Sequence, residues 1–381
     1  MHNTSLLLIV IVTALAFDFT NGFHDTANSM ATTITTGSLK PRVAVALSAV
    51  LNLAGAFISL SVAAVIAKGI VSQGSVTLPV VFAGLTGGIL WNVITWYNGF
   101  PSSSSHALIG GVVGAMIVHA GIHAVEWNGV FGKVMIPALL APLVAGIIAA
   151  GAAWLTARFT KHLTGSARDQ GFRWAQVGSA SLMSLAHGTN DAQKTMGVIT
   201  LALVANGNLV QDASTPTWVI VACGGAIALG TYLGGWRIIR TMGRALTDID
   251  TPQGFAAQTS AATVLLTSTH FGIPLSTTQV ASGSVVGSGI GHRVRVRWGI
   301  VGEILISWLV TMPAAGLIGA GAFGLSNAIG GTLGVYLTGG ILAFACALFF
   351  GLSRKSPVTP ENVNDAWDEN VHVLTPKHIA A

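Results

Sequence analysis

Asp25 and Asp191 are carboxylates set deep inside long apolar stretches, and short polar side chains crowd around both. Asn21, His24 and Asn28 flank the first, and Asn190 and Lys194 flank the second. A charged side chain at the centre of a bilayer costs about 2.5–3.5 kcal/mol on insertion scales, so such groups are paired or functional. Oxygen-rich clusters at an interrupted helix suit a hard cation or a transferable proton. Asp25, Asp191, Asn21, Asn190 and Lys194 are therefore the candidates for holding a proton or cation. Asp25 and Asp191 are the ligands for any metal. The plainer alternative is a structural network that ties the interruption together.

A second pair of features has a different chemistry. Pro101-Ser102-Ser103-Ser104-Ser105-His106 and Pro274-Leu275-Ser276-Thr277-Thr278-Gln279 each precede a glycine-spaced apolar run. Proline and serine are typical of a helix N-terminus. Such a terminus presents unpaired N–H groups and the positive end of the dipole, which suits an anion. Two of them approaching from opposite sides would clasp a small oxyanion, with Ser103, Ser104, Ser105, Ser276, Thr277 and Thr278 as donors. Asp25, Asn28 and Asp191 border the same space. Capping and packing are the competing roles for these hydroxyls.

The composition says where this chemistry takes place. Of 381 residues, 52% are hydrophobic and only 8% charged. Soluble domains carry roughly 25% charged residues, so a soluble enzyme is excluded and a polytopic membrane protein expected, with the lipid bilayer as its main partner. The net charge of +5 fits a bias of cytoplasmic loops and calls for no nucleic acid. Cys223 and Cys346 sit in apolar segments without metal-ligand spacing. The first apolar stretch lacks a basic leader and a cleavage site, so it reads as a retained helix.

Apolar blocks run over 6–36, 43–67, 78–119, 134–156, 174–204, 217–236, 256–290, 298–322 and 332–352. Blocks 6–36 and 174–204 would each make roughly 46 Å of helix, too long for one straight span of about 30 Å. Their polar interruptions predict broken helices. Blocks 78–119 and 256–290 are cut by proline and hydroxyl clusters, which predicts helical hairpins. Lys40 and Arg42; Arg158, Lys161, Arg168 and Arg173; Arg237, Arg240 and Arg244; and Arg293, Arg295 and Arg297 mark the cytoplasmic loops. The loops near 68–77, 120–133, 205–216 and 323–331 hold only Lys68 and Lys133. The N-terminus is then external and the C-terminus cytoplasmic. The tail beyond Leu352, with Glu361, Asp365, Asp368 and Glu369, reads as a poorly ordered polar end.

The motifs repeat in order. Gly22-Phe23-His24-Asp25 to Met30 aligns on Gly188-Thr189-Asn190-Asp191 to Met196 at an offset of 166, and the two hairpin breaks align at an offset of 173. With the sidedness above, the expected fold is all-α: two inverted-topology repeats with broken helices and paired hairpins. Residues 1–157 form the first repeat (broken helix 6–36, hairpin 78–119), 158–173 a cytoplasmic connector, 174–352 the second repeat plus a final helix, and 353–381 the tail. Inverted repeats with paired broken segments are an architecture of secondary transporters.

Other polar residues are read more plainly. Asp18 and Glu303 stand between pairing partner and proton carrier. His106, His187 and His270 flank the motifs as structural residues, and His119, His123 and His162 fall at interfaces or loops. Trp127, Trp154 and Trp236 fit an interfacial belt.

The two aspartate motifs, Asn21 to Asn28 and His187 to Gly197, together with both hairpin segments, resemble the signatures of the inorganic phosphate transporter family. The resemblance runs from the first block to Leu352. It implies a non-enzymatic symporter of inorganic phosphate, without a resident cofactor, forming a homodimer. Sodium-coupled members usually carry Asn-Asp-x-Ala-Asn in both motifs, whereas here the second reads Asn190-Asp191-Ala192-Gln193-Lys194. That resembles the bacterial low-affinity branch, which moves phosphate with protons, often as a neutral divalent-metal phosphate. The short connector favours a prokaryotic plasma membrane. A sodium-coupled phosphate symporter and a sulfate permease of the same superfamily are the near alternatives. An intramembrane aspartyl protease needs neither the repeat nor the hairpins, and a channel would need a filter sequence that is absent.

Overall fold

The computed structural model describes residues 3–69, 75–161, 166–210 and 213–365. His162, Asp368 and Glu369, and much of the 68–77 loop, lie outside them. The chain is helical along almost its whole described length. Helices α1 (Thr4–Thr35), α2 (Pro41–Gly55) and α3 (Ser61–Gly69) lead into a hairpin of α4 (Leu78–Asn98) and α5 (Ser104–Ala120). A short α6 (Trp127–Gly129) continues through a π-helical turn (Val130–Met135) into α7 (Ile136–Thr160). The second half repeats the order. It consists of α8 (Ser166–Ala205), α9 (Thr217–Leu233), α10 (Trp236–Arg240) with a π turn (Thr241–Ala245), the hairpin α11 (Thr251–His270) and α12 (Thr277–His292), and α13 (Trp298–Ile329). Helix α14 (Gly331–Ser353) closes the bundle. Among the described residues, five helices are long and apolar enough to cross a membrane, or six counting the bent pair α9–α10.

Both hairpins lie where the proline and hydroxyl clusters put them. The long helices do not break. Helix α1 runs 32 residues and α8 runs 40 without interruption. Neither contains proline, and hydroxyls inside α1 turn back onto their own helix: Thr20 donates to the Phe17 carbonyl at 2.8 Å and Thr26 to that of Gly22 at 2.7 Å. A continuous helix longer than the hydrocarbon core can tilt or extend beyond it instead of breaking. The breaks fall instead in the next element of each half. Residues 56–60 separate α2 from α3, and Gln193 of α8 caps the new start by accepting from the Val62 N–H at 2.8 Å. Helices α9 and α10 meet at a 62° bend, where Gly234 takes φ +74°.

The halves interlock rather than stand apart. Helix α5 packs on α13 and α12 on α7, while α1 packs on α9 and α2 on α8. Glycines make these crossings close. A Cβ at Gly22 would run into the Ile227 backbone, and one at Gly188 into that of Asn52. Gly55 presses on Leu185 and Thr189, and Gly230 on Phe19 and Phe23, so the two crossings are equivalent under the repeat. Two apolar cores result. One gathers Leu6 to Phe17 of α1 with α4, α5 and α9, and the other gathers Ala27 to Ile34 with α11 and α12. The polar middle of α1 lies between them. Outside, α7, α13 and α14 expose Leu143, Ile147, Leu317 and Phe344, the apolar surface that lipid would cover.

The tail departs from the expected disordered end over its described part. Val363 is buried, Asn364 donates to the Ile34 carbonyl at 3.0 Å, and Glu361 pairs with Arg42 at 2.7 Å. Arg237 donates to the Ser356 carbonyl at 2.7 Å. One apolar side chain and a few polar contacts suffice to dock it.

The close crossings give a stability prediction. Gly287 faces the Gly146 backbone with no room for a methyl group, while Gly225 faces open space. Gly287→Ala should destabilise the detergent-solubilised protein by about 1–3 kcal/mol, and Gly225→Ala should be close to neutral. Thermal unfolding of the two variants checks this.

Candidate phosphate and cation site

The motifs converge where α1 and α8 meet the starts of α5 and α12. Ser103 and Ser276 are the N-caps of α5 and α12, their hydroxyl oxygens accepting from the His106 N–H at 3.2 Å and the Gln279 N–H at 3.3 Å. The ordinary helical bond begins one residue later, at Ala107 and Val280. The N–H groups of Ser104, Ser105, Thr277 and Thr278 have no acceptor among the described hydrogen bonds. These are the orphan donors that every helix start leaves.

The next hydroxyls reach the carboxylates. Ser104 donates to Asp25 Oδ1 at 3.2 Å, and Thr278 lies 3.3 Å from the same atom. Thr277 stands between the two acids, 2.9 Å from Asp191 Oδ2 and 3.3 Å from Asp25 Oδ2. Asn28 Nδ2 reaches Thr278 at 3.1 Å and Thr277 at 3.3 Å. Two aspartates 166 positions apart in sequence thus share one pocket of hydroxyls drawn from both hairpin tips. All of these residues are buried.

Each acid has its own basic partners. Asp25 Oδ1 lies 2.6 Å from His24 Nδ1, whose other ring nitrogen meets Thr95 Oγ1 at 3.0 Å. Asp191 Oδ1 takes a hydrogen bond from Lys194 Nζ, and its Oδ2 lies 3.2 Å from His187 Nε2. Lys194 also donates to Ser105 Oγ at 2.5 Å and to the Leu275 carbonyl at 2.8 Å. It is therefore buried and turned inward, joining α8 to both hairpins.

The donor set suits a cation. One ligand atom each from Asp25, His187 and Asp191 lies within 4.8 Å of the others. The side-chain oxygens of Asn21, Asn28 and Asn190 are buried with no hydrogen-bond partner among the described residues. Asn190 spends only its amide nitrogen, on Thr269 at 2.8 Å. Buried oxygens without donors are costly unless something positive reaches them.

The structure brings together Asp25, Asn28, Asp191, Lys194, Ser104, Ser105, Thr277 and Thr278. Asn21 and Asn190 are buried on α1 and α8, and the Ser103 and Ser276 hydroxyl oxygens serve as N-caps. His187, which the sequence reading makes structural, also reaches the pocket. It sits one turn before Asp191, a spacing of four that puts both on one helix face, and Asn52 fixes its ring through Nδ1 at 3.1 Å. His106 is buried beside the cap, while His270 is exposed at the end of α11.

Comparison with known proteins bears on the same residues. The chain matches the phosphate transporter family over residues 21–319, which includes both aspartate motifs and both hairpins. It is 57% identical over 368 residues to a probable low-affinity inorganic phosphate transporter of Mycobacterium bovis, covering 96% of this chain and 88% of that one. A protein of the same description from Bacillus subtilis is 42% identical over 330 residues, covering 85% and 98%. Among solved structures, one titled the sodium-dependent phosphate transporter superposes with a TM-score of 0.74 at 23% identity, covering 84% of this chain and 98% of that one, which is a likeness of fold. The chain belongs to the phosphate transporter family.

Proposed function

We propose that this chain is a secondary active symporter that takes up inorganic phosphate with protons. The carrying observation is the meeting of Asp25 and Asp191 under hydroxyls from both hairpin tips. In this reading phosphate lies between the starts of α5 and α12. It takes the free N–H groups and the hydroxyls of Ser104, Ser105, Thr277 and Thr278; without it Ser104, Thr277 and Thr278 turn to the acids and Ser105 accepts from Lys194. A protonated phosphate donates to Asp25 or Asp191, which sulfate at neutral pH cannot do, so the acids favour phosphate. The relatives named as low-affinity inorganic phosphate transporters support the same substrate.

Coupling to protons rather than sodium rests on Lys194. Its counterpart in the first motif is Asn28, whose amide oxygen can ligate a metal ion. An ammonium offers no lone pair and repels sodium at close range. With Lys194 hydrogen-bonded to Asp191, the exchangeable charge falls to Asp25 and its partner His24. The cargo in this reading includes the neutral divalent-metal complex of phosphate, since Asp25, His187 and Asp191 together offer the carboxylate and imidazole donors that such a metal accepts.

The inverted relation of the halves, an external N-terminus and a homodimer in a prokaryotic plasma membrane belong to the same proposal. Basic Arg42 and Arg237 meet the tail on one face, as a cytoplasmic side would require.

Three outcomes test it in proteoliposomes. Asp25→Asn and Asp191→Asn should each abolish gradient-driven phosphate accumulation while the protein remains inserted; near-normal accumulation in both would sink the proposal. Thr277→Ala should raise the half-saturation concentration for phosphate about ten- to a hundred-fold, the worth of one hydrogen bond to a charged ligand. Ser103→Ala, a lost cap, should instead cost about 0.5–2 kcal/mol of stability. Phosphate uptake in the wild type should follow an imposed pH gradient, collapse with a protonophore and resist competition by sulfate. Accumulation on a sodium gradient alone would refute proton coupling.

A further inference from the structure

Asp18 lies two helical turns before Asp25 on α1, among the apolar residues of the first core, and is fully buried. Its Oδ1 accepts one hydrogen bond, from Thr195 Oγ1 at 2.5 Å, and its Oδ2 has no hydrogen-bond donor among the described residues. The ionisable groups that face it are Lys194 and Asp191 on α8 and the Cys223 thiol on α9, while α4 brings no charged side chain. Lys194 is already spent on Asp191, Ser105 and the Leu275 carbonyl. No ion pair to Asp18 exists among the described residues. A buried carboxylate with one hydroxyl donor, a weakly donating thiol beside it and no cation is poorly served, and a carboxylic acid in the same place is not.

The repeat supplies an internal control. The glycine crossings pair Gly22 with Gly188, and Ile227 with Asn52. The same pairing sets Asp18 opposite Ser184, Thr195 opposite Ser29, and Cys223 opposite Ser48. There the three serine hydroxyls close a network of their own, Ser29 to Ser48 at 3.1 Å and Ser184 to Ser48 at 3.0 Å. Holding two helices together at this crossing is thus within the reach of neutral hydroxyls. The carboxyl in the other half adds what a hydroxyl does not offer near neutral pH, the capacity to take up and release a proton.

We propose that Asp18, held by Thr195 and facing the Cys223 thiol, is a second proton-binding site of the transport cycle, separate from the Asp25–Asp191 pocket. Water on the side where α1 begins supplies the proton, the carboxylate becomes a carboxylic acid, and the proton leaves to water on the opposite side as the acid ionises again. Thr195 follows Lys194 directly on α8. A movement of α8 that draws Lys194 from the hairpin tips also withdraws the hydroxyl donor to Asp18, which ties its proton affinity to the state of the phosphate pocket. The inference rests on the proton-coupled reading above.

The test uses the full-length protein in proteoliposomes, with wild type, Asp18→Asn and Asp18→Ser side by side. Infrared difference spectra across a pH titration should show a protonated-carboxyl band in the wild type that both variants lose. Phosphate counterflow should persist in the variants with a flatter pH profile. Accumulation driven by a gradient of about one pH unit should fall roughly tenfold, the driving force of one lost proton. Accumulation and pH profile like the wild type's in either variant would overturn the proposal, as would a wild type without the band that Asp18 supplies. Loss of counterflow together with accumulation in both variants would make Asp18 a structural group and also overturn it. A wild type indifferent to the pH gradient would overturn the proton-coupled reading and this site with it. Coupling retained by wild type and variants alike removes this site only.

Discussion

Two carboxylates share the centre of this bundle, and their repulsion is the constraint around which the rest is arranged. At a separation near that of Asp25 and Asp191, two like charges cost about 3–4 kcal/mol at an effective dielectric of about 20. Water does not screen them, because both are buried. The charge is answered locally by Lys194 and His187 on one acid and His24 on the other. Hydroxyls answer it from two further helices. The arrangement works only if α1, α8, α5 and α12 all converge on one place. A pocket so dependent on countercharge would have to rearrange its hydrogen bonds to admit a further charge.

Glycine makes the convergence possible. The helices that flank α1 and α8 approach until backbone touches backbone, at Gly22, Gly188, Gly55 and Gly230. Burying apolar area gives little force between helices in lipid, so contact of this kind carries the association. The same device seats α5 on α13 and α12 on α7 through Gly114 and Gly287. The second arm of each hairpin is therefore held by a helix of the opposite half.

Much of this was legible in the chain. Proline followed by hydroxyls marked both hairpin tips because no other local chemistry serves a helix start so well, and the ordered repeat of four motifs tied the tips to Asp25 and Asp191. The continuity of α1 and α8 was hidden, since polar residues signal a break only when their side chains lack partners, and partners are set by tertiary structure. The real breaks were also hidden. The one at 56–60 depends on Gln193, which is 131 residues from the Val62 N–H it accepts from. His187 carried a readable sign in its spacing from Asp191, whereas Asn52, which orients it, carried none. The docking of the tail turned on the single apolar residue Val363 within a polar run.

The departures from symmetry say more about function than the symmetry does. A perfect duplication would surround Asp25 and Asp191 alike and offer two equal sites to one asymmetric cargo. Instead Lys194 stands opposite Asn28, His187 opposite Asn21, and Asp18 opposite Ser184. Each substitution gives one half an ionisable group where the other keeps a neutral one. The fixed ammonium lies on the Asp191 side, and the asparagine amide and paired histidine lie on the Asp25 side. One acid thus has an ammonium from its own helix besides its hydroxyl and imidazole, while the other has hydroxyls and an imidazole alone among the described residues. Under the proton-coupled proposal, two acids with unequal commitments can divide the labour of anchoring an anion and exchanging a proton, which two equivalent acids cannot.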